Sequence, residues 1–301
     1  MPRSSACAPR RLSRGRATVH DAGVVQLKAA QFAESSLQRW AWDYIASDSL
    51  QYKLEPPPAP GELLGETHAR WLAAVRIECP GRPSELQPLS GKRKTPGAGA
   101  LRDPNKRAEL LHTFLHHELQ AAELMCWALL AFPETPAAFR RGLIAICQDE
   151  IRHMRVYARH IEALGSHVGA FGVRDWFWQR VPAARTPVAF LAAMGLGFEA
   201  GNLDHTRRFA ERFRAVGDEA GAELQEVVAH EEISHVAFAA HWFRRFEGEL
   251  SFARWCEVLP QPLSPMVMRG DPLDRAARAQ AGLGPEFLDA LERWQPESRG
   301  C

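Results

Sequence analysis

The sequence predicts an all-α protein whose centre is a four-helix bundle. Three observations predict it. Four long stretches between residues 104 and 248 repeat apolar residues at helical spacing. Proline and glycine punctuate those stretches where helix ends belong. No segment alternates apolar and polar residues as a strand does, and no short-period repeat is present. The full architecture expected is a bundle over 104–248 with a long crossover between its second and third helices. An N-terminal arm precedes it and a C-terminal helical extension over 249–301 packs on it.

Residues 1–28 read as a disordered basic tail. Arg3, Arg10, Arg11, Arg14 and Arg16 occur there with no acid in the first twenty positions and no clear apolar face. The same bias suits an organellar transit peptide. Residues 29–103 read as a helical segment followed by an extended arm. An amphipathic helix is expected over 30–47, with Phe32, Leu37, Trp40 and Tyr44 near one side. The prolines at 56, 57, 58 and 60 must end it. A second short helix is expected over 62–77, and the Pro-, Gly-, Lys- and Arg-rich stretch 80–104 reads as an arm.

The first bundle helix is expected over 105–132, where Pro133 ends it. Thr135-Pro136 has the form of a cap followed by a first-turn proline, and starts a second helix that Gly165 stops. Residues 166–185 form a long connection containing Trp176, Phe177 and Trp178. Thr186-Pro187 repeats the start signal for a third helix reaching about 216. Gly217-Asp218 breaks the pattern, and a fourth helix runs to about 246. A proline-rich stretch over 260–272 and one or two short helices complete the chain.

Charge excludes some partners. Lys plus Arg is 37 and Asp plus Glu is 36, so nothing pulls the whole chain toward nucleic acid or anionic lipid. No run of eighteen apolar residues offers a membrane span. A cytoplasmic protein is expected. The six cysteines, at 7, 79, 126, 147, 256 and 301, form no C-x-x-C pair and read as free thiols in a reducing compartment, with Cys126 and Cys147 buried in helices.

Two segments carry the chemistry. Asp149-Glu150-Ile151-Arg152-His153 and Glu231-Glu232-Ile233-Ser234-His235 are each an acid followed by Glu-x-x-His. Residues three apart on a helix share a face, so Glu150 with His153, and Glu232 with His235, converge. One such motif is common by chance. Two copies, each set on an apolar stripe, are not: buried carboxylates cost several kcal/mol, on the order of that per ion, unless something neutralises them. A metal ion does so, and carboxylate with imidazole suits iron, manganese or zinc.

A bundle site for two ions needs one further carboxylate from each remaining helix. Glu118 lies among Leu111, Phe114, Leu115, Ala121, Ala122 and Met125, and Glu199 among Leu191, Ala192, Gly195 and Leu203. Glu123 is the rival of Glu118. Spacing favours Glu118, since Glu118 to Glu150 spans 32 positions and Glu199 to Glu232 spans 33, whereas Glu123 gives 27. The expected metal ligands are therefore Glu118, Glu150, His153, Glu199, Glu232 and His235. Asp149 and Glu231 are candidates to hold a ligating histidine from behind, and Tyr157, one turn beyond His153, is a third neighbour. His230-Glu231 does not start a zinc-protease motif, because Ser234 stands where a histidine is needed.

This order of ligands resembles that of the ferritin-like di-iron carboxylate proteins. The local wording, His116-His117-Glu118-Leu119-Gln120-Ala121-Ala122-Glu123-Leu124, Asp149-Glu150-x-x-His153, Glu199-Ala200-Gly201-Asn202-Leu203-Asp204 and Glu231-Glu232-Ile233-Ser234-His235, is similar to the bacterial ferritin-like family called domain of unknown function 455. So are Gly81-Arg82-Pro83-Ser84-Glu85-Leu86 upstream and Asp274 to Gly282 downstream; the resemblance spans about 80–285. It implies a ferritin-like fold and a pair of iron ions, with manganese as the alternative metal. The expected class is an oxidoreductase, an oxidase or hydroxylase that takes dioxygen and a small-molecule substrate. The alternatives are a non-enzymatic iron or manganese protein and an RNA-modifying hydroxylase. The last rests on a distant likeness in ligand order to the tRNA hydroxylases of isopentenyl-adenosine and on Lys92-Arg93-Lys94. Nucleic acid and membrane are not expected partners, and a homodimer is compatible with the sequence.

Overall fold

The computed structural model describes residues 32, 36–60, 74–89 and 96–296. The architecture is all-α. Among the described residues no strand forms, and extended pairing is limited to one parallel bridge between Pro88 and Val173. The chain divides into two compact units, Met1–Gln179 and Arg180–Cys301.

In the first unit, α1 (Leu37–Ala46) begins where the Ser36 side chain accepts the Arg39 amide. It buries Leu37, Trp40, Ala41, Tyr44 and Ile45. A short α2 (Leu50–Leu54) follows, capped by Ser49. Of the helix expected over 62–77, residues 74–77 are non-helical; residues 62–73 lie outside the described residues, as do 1–28 and Lys92-Arg93-Lys94. The arm contributes 3-10 turns at Ser84–Leu86 and Ala98–Arg102.

Two long helices form the body of this unit, α3 (Pro104–Ala131) and α4 (Ala137–Ala163). Asp103 caps α3 by accepting the Asn105 amide, with Pro104 in the first turn. The link 132–136 folds the two into a hairpin, with α1 against α3 and α2 against α4. The α4 start differs by one residue from the expected form. Pro136 holds the cap position without a side-chain bond, and the Thr135 hydroxyl instead donates to the Phe132 carbonyl at 2.8 Å, closing α3. From Glu118 to Ala131, α3 is buried on every side, so its polar residues must find partners inside the protein.

The second unit holds α5 (Pro187–Ala193), capped by the Thr186 hydroxyl, a π-helical segment (Met194–Glu199), α6 (Ala200–Arg214) and α7 (Glu219–Glu247). The sequence predicts one uninterrupted helix over 187–216; the π segment breaks it. Gly195 explains why the wider turn fits there. A Cβ on Gly195 would lie 2.3 Å from the Ala239 Cβ, so the backbone presses directly on α7. Glycine at 217 (φ 79°) and the Asp218 cap turn α6 into α7, and Gly248 (φ 86°) ends it. A short α8 (Phe252–Val258) that the sequence reading does not include precedes the proline-rich stretch, which holds a 3-10 turn at Pro265–Met268. After it, among the described residues, come two short helices as expected, α9 (Arg275–Gln280) and α10 (Pro285–Arg293).

Among the described residues no helix is long and apolar enough to cross a membrane. The expectation of free thiols needs one correction. Cys126, Cys147 and Cys256 are free, but Cys79 is disulfide-bonded. The free-thiol reading rests on the lack of a C-x-x-C pair, and spacing along the chain does not report which cysteines meet in space.

Candidate metal sites

Each unit contains a buried triad of two glutamates and one histidine. In the first unit Glu118 comes from α3, and Glu150 and His153 from α4. One ligand atom from each lies within 4.8 Å of the others. The His153 Nδ1 is 3.3 Å from Glu150 Oε2 and 3.8 Å from Glu118 Oε2. Glu150 and His153 are fully buried and Glu118 is 3% exposed. Donors bound at about 2.0–2.2 Å to one ion stand at most about 4.4 Å apart, so small side-chain adjustments complete a ligating geometry.

The second unit repeats the arrangement. Glu199 comes from the last position of the π segment, and Glu232 and His235 from α7; all three are buried and within the same 4.8 Å span. His235 Nδ1 lies 3.2 Å from Glu232 Oε2, and Asn202 Nδ2 donates to Glu232 Oε1 at 3.4 Å. A π turn re-aims side chains relative to an α-helix and recurs at functional positions. Here it sets the direction of Glu199.

Without a cation the first triad must hold protons on its own donors. Burial first, then the Glu150 carboxylate, holds the Glu118 carboxyl well above the usual carboxylate range. Burial alone would lower the His153 imidazolium, but its hydrogen bonds and charge interactions with Glu118 and Glu150 outweigh burial and raise it to about 11. Without a metal, His153 therefore carries a proton beside two acids that resist both being ionised. A divalent cation relieves both strains together, so the donor set fits a metal ion.

Other buried acids are neutralised by protein groups. Glu123 accepts from Lys53 Nζ at 2.8 Å, from Trp178 Nε1 at 2.7 Å, and from Arg82. Arg82 also reaches Asp175 at 2.9 Å, which the His116 Nε2 meets at 3.0 Å. The rival ligand thus serves to anchor the arm and the 175–178 aromatic cluster. In the second unit, Asp204 receives both terminal nitrogens of the fully buried Arg278, at 2.6 and 2.8 Å, and the Gly270 and Asp274 amides. Arg278 also donates to the Ala200 carbonyl at 2.8 Å, next to Glu199.

The outer candidates lie as follows. Asp149 is partly exposed and pairs with Arg152 at 2.6 Å. Glu231 is half-buried, and its carbonyl accepts the Ser234 hydroxyl. Tyr157 is buried, its ring 6.0 Å from that of Phe114. Sequence reasoning missed the partners of Glu123 and Asp204. Lys53 carries no signal beyond being a cation in a segment of mixed composition, while Arg82 and Arg278 stand within the upstream and downstream motifs.

Residues 37–289 match the family described as protein of unknown function (DUF455). The chain belongs to the DUF455 family. It is also similar to an uncharacterized protein of Haemophilus influenzae, 23% identical over 192 residues that cover 60% of this chain and 66% of that protein. No solved structure matches. The family match takes in both triads, the arm residue Arg82 and the Arg278 clamp.

Proposed function

We propose that this protein binds two iron ions, one on each triad, and uses them to oxidise a small organic substrate with dioxygen, as an oxidase or hydroxylase. The observation that carries the reading is the repeated triad: in both units a Glu-x-x-His helix meets a glutamate from another helix, fully out of water. The glutamates hold the ions as hard oxygen donors, and the histidines supply one nitrogen each. His153 Nδ1 is the nitrogen that faces both carboxylates, so it must give up its proton to ligate. Ferrous ions, if held by these residues, would supply electrons to dioxygen. The low exposure of all six side chains excludes bulk water, which strengthens the charge interactions inside.

The test begins with protein purified without added metal. It is loaded anaerobically with ferrous iron, assayed for iron per chain, and exposed to oxygen in an electrode cell. About two equivalents of iron and prompt oxygen uptake are expected, with Glu150→Ala and Glu232→Ala each losing most of the binding. Full occupancy in both variants would sink the ligand assignment. Tight iron binding with no oxygen uptake would remove the oxidase reading and favour a storage or protective role.

A further inference from the structure

Cys126 lies on α3 one turn after Glu123, and Cys147 lies on α4 one turn before Glu150. Their Sγ atoms are 3.6 Å apart. Both side chains are fully buried, and both thiols are free. A disulfide bond is about 2.04 Å long, so the sulfurs need to approach by roughly 1.6 Å.

We propose that Cys126 and Cys147 are a dithiol redox site that closes to a disulfide joining α3 to α4. The oxidant is a small neutral peroxide. One thiol attacks a peroxide oxygen, the O–O bond breaks, and a sulfenic acid and one water form. The second thiol attacks that sulfur, the S–S bond forms, and a second water leaves. Two thiols thus lose two hydrogens and two electrons to one hydrogen peroxide, which ends as two waters.

The surroundings select that chemistry. Burial of both sulfurs admits a small neutral oxidant and keeps charged or bulky reagents out. Burial, then the neighbouring Cys126, also pushes the Cys147 thiol well above the ordinary range, so thiolate is scarce there and closure is slow. Once closed, the bond pins the two helices that carry Glu118, Glu150 and His153, one turn from Glu150.

The experiment uses metal-free full-length protein, so its outcome is independent of the iron reading. The protein is reduced, freed of reductant, treated with hydrogen peroxide while circular dichroism confirms that it stays folded, then alkylated in denaturant and digested. Mass spectrometry should find the Cys126 and Cys147 peptides joined, lighter than their sum by two hydrogens. Cys126→Ser should abolish that species. If that variant does not fold, the identity of the joined wild-type peptides decides alone. Full alkylation of both cysteines, after an exposure that oxidises the surface residue Met266 (45% exposed), overturns the proposal. So does their conversion to sulfinic acids without a link.

Discussion

Glu118 and Glu123 sit five residues apart on the same buried helix, yet their replacement by glutamine should give opposite results. Glu123 lies between the Lys53 ammonium at 2.8 Å and the Arg82 guanidinium, with side-chain exposures of 0% for Lys53 and Glu123 and 6% for Arg82. Glu123→Gln keeps the shape and removes the charge. Breaking a buried ion pair costs about 3–5 kcal/mol. At roughly 2–4 °C per kcal/mol for chains of this size class, the unfolding midpoint of metal-free protein should fall by on the order of 10 °C. Burial already lowers the Lys53 ammonium below its ordinary range, with Glu123 opposing. Lys53 can therefore shed its proton once Glu123 is gone, and the loss should shrink as pH rises. Glu118→Gln removes a carboxyl that burial and Glu150 already push upward, so metal-free stability should hold or rise. Metal affinity should drop by more than about tenfold, the scale set by changes to groups merely behind a ligand. Thermal unfolding followed by circular dichroism and cobalt(II) titration followed by visible absorption read the two effects separately. A Glu123→Gln protein that unfolds at the normal temperature but no longer binds cobalt would show that the ligand roles are reversed.

Three further outcomes are expected. Metal-free His153 holds its proton up to about pH 11 and must release it to ligate, so metal affinity should rise with pH by up to about tenfold per unit across the neutral range; pH-independent binding in calorimetry would contradict this. Gly195→Ala places a methyl 2.3 Å from the Ala239 Cβ and should cost about 1–3 kcal/mol while weakening cobalt binding through Glu199. Adding Ala239→Gly should restore both, and a purely additive double variant would refute the contact. Arg278→Met strips Asp204 of its bidentate partner and should lower stability by about 3–5 kcal/mol, measured by urea unfolding; a loss below about 1 kcal/mol, the scale of an exposed pair, would refute the clamp.

Much of this protein follows from short-range pattern. The ranges of α3, α4 and α7 agree with the expected ones to within a few residues, because helix periodicity, a proline at 104 or 133 and a glycine at 165, 217 or 248 act within a turn of where they stand. The grouping of Glu150 with His153, and of Glu232 with His235, is a consequence of three-residue spacing on a helix. Their meeting with Glu118 and Glu199 was anticipated from hairpin spacing, which is still local arithmetic. The break at 194–199 was not, since a lone glycine in an apolar run says nothing about the helix that will press on it; the reason lies in Ala239, far along the chain.

What only the tertiary structure decided is which buried acids already have cations. Glu118 and Glu123 are both set among apolar residues along α3, and in the sequence only hairpin spacing separates them. The difference is Lys53, seventy residues away in sequence, and Arg82, forty-one away. Asp204 and Arg278 meet across seventy-four. Side chains that distant leave no periodic mark, because ion pairing depends on position in space and is indifferent to the chain path between the partners. Folding brings a lysine and an arginine to one glutamate and leaves its neighbour beside a second acid and a histidine, and that difference in surroundings makes one an anchor and the other a metal-ligand candidate.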